Sequence, residues 1–304
     1  GNLSVDGGTI KLDGNYPTGN YNIGFGNLAL SSLTTGEGNV AIGHTALRYI
    51  TTHDYNTAVG QNSLRNNTAS NNTAVGYLAG EDNTTGTNNA FFGRESGKNV
   101  TTGSSNTALG ANTLQSVTTA SNNTAIGHTA LVNNTASNNT AVGYQALEDN
   151  TTGGSNTALG RQAGLENTTG IRNVYLGYNA GAVGTTANDN TFVGYKSGEQ
   201  NTSFHNSAVG FEALKSNTTG SGQVAVGYQS LDTCTTGTNN TAIGKLTLSS
   251  VTTGSNNTVI GNIAGTSLTT GIENTFVGND SGSAITTGSK NVILGEYNGN
   301  SGGL

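Results

Sequence analysis

Residues that could carry out acid/base chemistry are sparse in this chain and follow a repeat. Charged residues make up 9% of the 304 positions, against roughly 25% in an ordinary globular domain. The acidic pair Glu81-Asp82 recurs as Glu148-Asp149 in an equivalent turn. A glycosidase needs two carboxylates placed on either side of one bond, and no acidic pair departs from the repeat to supply them. We predict that the chain is not an enzyme, with a glycan-degrading tailspike as the competing interpretation.

Metal and cofactor sites are not indicated either. The four histidines, His44, His53, His128 and His205, show no i, i+4 pairing. A single cysteine, Cys234, excludes a disulfide framework and a multi-thiolate metal site. The glycines follow a regular period with no helix pattern behind them, unlike a phosphate-binding loop. We therefore expect no metal ion and no cofactor, and we expect Cys234 to be a packed thiol.

Charge and hydropathy exclude two further classes of partner. The net charge is −6 and the 11 Lys and Arg residues are thinly spread, so no basic stripe is available to neutralise phosphates. No apolar run approaches the roughly 18 residues that cross a bilayer. We expect neither a nucleic-acid partner nor membrane insertion. The absence of Met and the start at Gly1 further suggest a trimmed piece of a longer chain.

A composition of 47 Gly, 44 Asn and 49 Thr is also compatible with disorder, but a strict repeat argues against it. One glycine recurs at intervals of 17 residues, or 16 after Gly60, Gly127 and Gly194. The series is Gly26, Gly43, Gly60, Gly76, Gly93, Gly110, Gly127, Gly143, Gly160, Gly177, Gly194, Gly210, Gly227, Gly244, Gly261, Gly278 and Gly295. We number this glycine as position zero of each repeat.

The residues around position zero predict a short strand followed by turns. Position −1 is always large and apolar, and position −4 is Asn in every copy except Gln223. Short Val-, Ile- and Thr-rich runs between Gly and Asn-Thr-Thr-Gly segments are typical of strands and turns. Stacked copies would form an all-β, parallel β-solenoid, or β-roll, of about 17 coils, each with two short strands. The expected boundaries are a lead-in at 1–20, a single array at 21–299 and a tail at 300–304.

In-register stacking gives two kinds of side chain a structural role. Identical asparagines, as at Asn56, Asn72, Asn89 and Asn106, are expected to form a hydrogen-bonded ladder along the axis. Position −2 is bulky in six copies, and all six have Gly rather than Leu at position +4. Constant total volume indicates that positions −2 and +4 pack together in the core. Ala74 with Gly80 and Ala158 with Gly164 depart from this pattern.

If position −2 faces the core, position −1 must face the other way, because side chains alternate along a strand. Such a stripe of large apolar side chains is rarely left exposed on a soluble monomer. We therefore expect the solenoid to self-associate along its length, most simply as a parallel homotrimer, intertwined or side by side.

Two surface rows suggest ligands. Position +1 carries four consecutive aromatic residues, Tyr178, Tyr195, Phe211 and Tyr228, which either stack on one another or contact the sugar rings of a host surface glycan. Thr-Thr pairs raise the alternative of ice binding. Against it, the pairs are interrupted in the three short coils, at Thr68-Ala69, Thr135-Ala136 and Thr202-Ser203.

The core run N-T-A-[V/I/L]-G-x-x-[A/S]-[L/G] resembles the N-S-V-A-I-G-x-x-S repeat of YadA-like trimeric autotransporter adhesin heads. It is still closer to the TTG-containing repeats of phage tail fibres, and the opening segment 3–17 is similar to the lead-in of such arrays. The resemblance covers roughly residues 20 to 299. It implies a trimer of parallel β-rolls, left-handed in the adhesin heads. The repeat of 17 residues is longer than that of the adhesin heads.

The resemblance therefore implies a structural and adhesive protein: the shaft of a phage tail fibre or a similar extracellular appendage. Its expected location is extracellular, on a virion tail fibre or a cell surface. Its expected partners are two further copies of itself, other fibre or tail proteins, and a host surface glycan. A bacterial cell-surface trimeric adhesin and an ice-binding β-solenoid remain the alternatives.

Overall fold

The computed structural model describes residues 21–299, and within them it contains 17 three-residue β-strands and no helix. The expected lead-in, 1–20, and tail, 300–304, lie outside the described residues. Within the described range, no helix is long and apolar enough to cross a membrane. By its internal contacts the chain divides into two units, residues 1–139 and 140–304.

Unit 1 contains seven strands, each ending one residue before a repeat glycine. They are β1 (Ile23–Phe25), β2 (Val40–Ile42), β3 (Thr57–Val59), β4 (Thr73–Val75), β5 (Ala90–Phe92), β6 (Thr107–Leu109) and β7 (Thr124–Ile126). Each strand pairs in parallel with the next, so that equivalent positions of consecutive repeats lie side by side. Unit 1 is thus a β-solenoid with one coil per repeat.

Unit 2 has the same organisation over ten strands. They are β8 (Thr140–Val142), β9 (Thr157–Leu159), β10 (Val174–Leu176), β11 (Thr191–Val193), β12 (Ser207–Val209), β13 (Val224–Val226), β14 (Thr241–Ile243), β15 (Thr258–Ile260), β16 (Thr275–Val277) and β17 (Val292–Leu294). The register holds across the 16-residue coil, where Thr191 pairs with Ser207, so the missing residue is absorbed in a turn. The predicted all-β, parallel β-solenoid is confirmed.

Each coil contains one strand, not the expected two. Beyond position zero the backbone repeatedly enters the left-handed region, as at Thr45 (φ 57°) and Leu47 (φ 48°), which a second strand does not allow. The turns stack as the strands do, because their amides bond to the next coil. The Leu47 amide donates to the Ser63 carbonyl at 3.1 Å. Turn backbone therefore replaces the second strand.

Position zero is glycine for two reasons that act together. Its φ is positive, for example 137° at Gly43, and a Cβ on Gly43 would lie 2.5 Å from the carbonyl oxygen of Gly60 in the next coil. A side chain would force the coils apart, because real Cβ atoms do not approach backbone oxygen so closely. The recurrence of this glycine is thus a requirement of stacking wherever a described coil follows, whereas at Gly295 only the positive φ of 111° applies.

The core of each coil is formed by positions −2 and +4, as the volume pattern predicts. Ala41 and Leu47 are both fully buried. Where position −2 is a ring, the ring occupies the space of the missing leucine: a Cβ on Gly97 would lie 2.4 Å from ring atoms of Phe91. The fully buried rings Phe91, Tyr175, Phe192 and Phe276 all have glycine at position +4.

Candidate interaction surfaces

The outward side of the strands, positions −3 and −1, forms a surface that we call the strand face. In β2, Ala41 is fully buried, whereas the neighbouring Ile42 is 40% exposed. The same holds for Phe92 and Leu109 in unit 1 and for Leu159, Leu176, Val209, Val226, Ile243, Ile260, Val277 and Leu294 in unit 2. None of the described strand residues is charged. Each unit therefore exposes an uncharged row of large apolar side chains.

The asparagines at position −4 form a row that is buried in the coil interior. The Oδ1 atom of each accepts a hydrogen bond from the backbone amide of the next: Asn72 N to Asn56 Oδ1 at 3.0 Å, Asn89 N to Asn72 Oδ1 at 3.0 Å, and Asn106 N to Asn89 Oδ1 at 2.9 Å. Most Nδ2 atoms donate to a turn carbonyl of the following coil, as from Asn89 to Gly103 at 2.8 Å. Several also donate to the preceding ladder side chain, as from Asn106 Nδ2 to Asn89 Oδ1 at 3.2 Å. The ladder therefore joins side chains mainly to backbone.

Gln223, the exception at position −4, keeps both functions of the asparagine. Its amide oxygen accepts from the Asn240 backbone amide at 3.1 Å, and its Nε2 donates to the Gly237 carbonyl. The longer side chain is accommodated beside Cys234, whose Sγ lies 3.5 Å from Nε2. What the position requires is a primary amide.

A second set of buried amides, at position +7, was not predicted from the sequence. All three 16-residue coils carry Asn there, at Asn67, Asn134 and Asn201. In the first, Asn67 Nδ2 donates to the Ala69 carbonyl at 2.7 Å, and Asn67 Oδ1 accepts from the ladder residue Asn72 at 3.1 Å. These bonds close the shortened turn. Asn also occupies position +7 in four 17-residue coils, at Asn83, Asn150, Asn167 and Asn217. The available sequence signal was this second recurring asparagine, which does not by itself mark a short coil.

The four aromatic side chains at position +1 form a continuous stack along unit 2, which we call the aromatic column. Ring centroids are 5.2 Å apart for Tyr178 and Tyr195, and 5.1 Å apart for Tyr195 and Phe211 and for Phe211 and Tyr228. The interplanar angles are 7–10°. The spacing follows from in-register stacking of coils about 4.8 Å apart.

This stacking decides which parts of the rings meet solvent. Tyr195 and Phe211 each have a ring against both faces, yet they remain 43% and 40% exposed. Their exposed parts are therefore ring edges. Sugars stack on ring faces, and the guanidinium of Arg161 lies 5.4 Å from the Tyr178 ring centroid at one end of the column. A glycan contact at these residues stays a prediction, limited to ring edges and the outer face of Tyr228.

The acid/base residues are engaged in ordinary surface structure. Glu81 forms a salt bridge with Arg65 at 3.0 Å, and Asp82 accepts from Asn66 Nδ2 at 2.9 Å. His205 lies 3.7 Å from Asp189, which Arg172 contacts at 2.6 Å. Across the described part of the chain, no three His, Cys, Asp or Glu side chains are placed to hold a metal ion.

Cys234 and the threonine rows also have structural partners. Cys234 is fully buried, and burial raises the pKa of its thiol to about 11. The first threonine of each pair donates its hydroxyl to the next coil, as from Thr84 to the Thr101 carbonyl at 3.0 Å. Where this bond forms, the hydroxyl joins two coils, although both threonines of a pair can be exposed, as at Thr218 and Thr219.

No family model, no curated protein and no solved structure matches this chain. The surfaces of the solenoid are therefore the basis for a function.

Proposed function

We propose that the chain is a structural and adhesive fibre segment: the rigid, trimeric shaft of a phage tail fibre or a similar extracellular appendage, without catalysis. The observation that carries the proposal is the strand face, which is uncharged and has a row of large apolar side chains at position −1 along each unit. Support for the fibre role comes from the repeat resemblance, because no comparison supplies a relative. Host attachment and an extracellular location follow from that role.

The strand face favours association because it combines exposed apolar area with an absence of charge. Burying a Val, Leu or Ile side chain completely is worth about 1.5–3 kcal/mol, so a side chain that is two-fifths exposed retains roughly 0.5–1 kcal/mol to gain. Eight of the ten strands in unit 2 repeat this gain. The net charge of −6 is carried outside the strands, so it does not oppose contact there.

A second copy of the same chain is the occupant that this surface fits best. Equivalent side chains recur at every coil, so a parallel copy in the same register meets the same pattern along its whole length. A rotation axis parallel to the solenoid would bring one strand face from each copy together. The number three and left-handed coils come from the resemblance to the adhesin heads.

The proposed mechanism is mechanical reach combined with avidity. A solenoid bonded at every coil is stiff, and three parallel copies present the same surface residues three times, which multiplies weak contacts with a host surface. Other fibre or tail proteins are expected at its ends. The alternative, a bacterial cell-surface trimeric adhesin, would have the same architecture but would be attached to a bacterial cell instead of a virion.

The test is the mass in solution of the full chain. We expect light scattering to give three times the mass of one chain. Ile243→Lys together with Ile260→Lys, which place charges in the strand face, should give single chains with unchanged circular dichroism. Thr236→Lys, on an exposed turn of the same unit, is the matched control and should remain trimeric. A wild-type mass equal to one chain would overturn the proposal.

A further inference from the structure

The aromatic column ends at two cations that are not neutralised. Unit 2 contains six Lys and Arg residues, and four of them pair with carboxylates: Arg172 with Asp189, Lys196 with Glu199, Lys215 with Glu212 and Lys290 with Glu273. Among the described residues of this unit, Arg161 and Lys245 have no carboxylate within 4 Å. Both are exposed and both occupy position +1.

Their positions relative to the rings are regular. Arg161 lies one coil before Tyr178, and Lys245 follows Tyr228 by one coil. The guanidinium of Arg161 lies 5.7 Å from the Tyr144 ring centroid and 5.4 Å from that of Tyr178. Five coil steps of about 4.8 Å place the two cations roughly 24 Å apart. Four stacked rings, spanning about 15 Å, lie between them.

The rings present their edges to solvent, and this determines what they can bind. An aromatic ring is electron-rich on its faces and electron-poor at its edge. Faces in the column are turned towards neighbouring rings, so the solvent side is a row of four ring edges, three of which carry a phenol hydroxyl. The aliphatic C–H groups of a sugar are also electron-poor and find no complementary surface there. The π face of a planar aromatic molecule, laid along the column, makes edge-to-face contact with each ring in turn.

Two of the carboxylates beside the column are neutralised by ion pairs. Glu199 is paired with Lys196 at 3.2 Å and Glu212 with Lys215 at 2.9 Å, and Lys196 Nζ lies 5.8 Å from the Tyr195 ring centroid. Glu199 and Glu212 are thus each balanced by an ammonium, whereas Asp232, in the coil of Tyr228, has no ion pair among the described residues. The two ends of the column carry unbalanced positive charge. The surface is apolar in the middle and cationic at both ends.

We propose that the aromatic column is a binding site for an elongated, planar aromatic molecule with an acidic group at each end. The π face lies across the edges of Tyr178, Tyr195, Phe211 and Tyr228, and the acidic groups pair with Arg161 and Lys245. The site belongs to unit 2 of a single chain, so it does not depend on the trimer proposed above.

The experiment uses Congo red, a linear conjugated bis-azo dye with a sulfonate at each end, titrated against the full chain by calorimetry. We expect one saturable site per chain. Tyr195→Phe, which keeps the ring edge, should bind as the wild type does, whereas Tyr195→Leu and Phe211→Leu should each weaken binding at least tenfold. Arg161→Gln with Lys245→Gln should do the same. Thioflavin T, a planar aromatic cation, should bind at least tenfold more weakly than Congo red.

The matched control is Arg94→Gln, which alters a position +1 arginine of unit 1 that contacts Glu95 at 3.0 Å; it should leave the affinity unchanged. Circular dichroism and the light-scattering mass are recorded for every variant, so loss of folding or of self-association is separated from loss of the site. Equal binding by wild type and the leucine variants would overturn the proposal, because it would indicate adsorption to any β-surface. Tighter binding of an acidic oligosaccharide than of Congo red, abolished by the same variants, would also overturn it.

Discussion

The ring of Phe91 fills the space that a side chain on Gly80 would need, although Gly80 belongs to the preceding coil. A Cβ on Gly80 would lie 2.7 Å from Phe91 Cδ2, and a Cβ on Gly97, in the same coil as Phe91, would lie 2.4 Å from its Cδ1. The ring of Phe91 therefore excludes side chains from two coils, its own and the one before, and Tyr175 does the same at Gly181 and Gly164.

This relationship predicts that Gly80→Leu destabilises the fold and that compensating substitutions restore the stability. The backbone does not forbid leucine, because Leu64 at the equivalent position has φ 46° and Gly80 has φ 59°. Leucine is instead disfavoured by its clash with the ring of Phe91. Overpacking of a core typically costs about 1–3 kcal/mol, occasionally more. We expect a lower urea midpoint for unfolding of unit 1.

The control for Gly80→Leu is the triple variant Gly80→Leu, Phe91→Ala and Gly97→Leu, which recreates the Ala and Leu pairing of other coils. Its urea midpoint should return close to that of the wild type. If Gly80→Leu alone is as stable as the wild type, the ring of Phe91 does not set the residue at position 80.

A second prediction concerns the asparagine ladder. Asn89→Ala removes the acceptor of the Asn106 amide and the donor to the Gly103 carbonyl, and leaving a buried polar group unpaired costs about 1–3 kcal/mol. Hydrogen exchange of the Asn106 amide should accelerate by at least tenfold. The effect should be local, because each coil contacts mainly its neighbours.

Asn89→Gln is the matched control for the ladder, since Gln223 makes both bonds at the equivalent position. Exchange of the Asn106 amide should be much slower in Asn89→Gln than in Asn89→Ala. Equal exchange in the two variants would mean that the amide group itself is dispensable.

The third prediction is a pH dependence from Cys234. Burial raises the pKa of its thiol to about 11, above that of an exposed thiol near 8.5. The thiol has a higher pKa in the folded chain than in the unfolded chain. The free energy of unfolding therefore does not depend on this thiol below about pH 8.5, and it falls as the pH rises towards 11, because the unfolded chain loses the proton first. Over that window the wild type should lose roughly 2 kcal/mol more than Cys234→Val does.

Cys234→Val suits this comparison because Val251 occupies the same position one coil later. The measurement is the free energy of unfolding of unit 2 at pH 8 and at pH 10.5 for both chains. At pH 8, iodoacetamide should not alkylate Cys234 in the folded wild type. It should alkylate Cys234 once urea has unfolded the chain. Rapid alkylation without urea would show that the thiol is accessible.

The parts of this fold that could be predicted from the sequence are those that repeat. Period, register and the buried and exposed sides of the strand all follow from residue types at fixed spacing. Compensation of side-chain volume between positions −2 and +4 of one coil also explains why Gly97 accompanies Phe91. It does not explain Gly164, whose own coil has Ala158. The structure shows that Tyr175 of the next coil lies 2.5 Å from a Cβ placed on Gly164.

Two features could not be predicted because they arise between coils or in the turn backbone. The expected second strand depends on backbone angles, and left-handed residues such as Leu47 have ordinary side chains for which sequence gives no warning. For the aromatic column, the sequence left stacking of the rings on one another and contact with a glycan as alternatives, and the structure shows the stacking. That its rings expose edges rather than faces depends on the coil spacing, which brings adjacent rings into contact.

A ring such as Phe91 leaves no room for a side chain at position +4 of the preceding coil. This limits where coils can be added to or removed from the array. Deleting the coil that contains Gly80 would place Phe91 directly after the coil of Leu64, where the ring and the leucine need the same space. Recombination between misaligned repeats therefore produces foldable chains when the junction joins two coils of the Ala and Leu type, such as those of Leu47 and Leu64. The number of coils in such an array can therefore change only through a restricted set of crossover points.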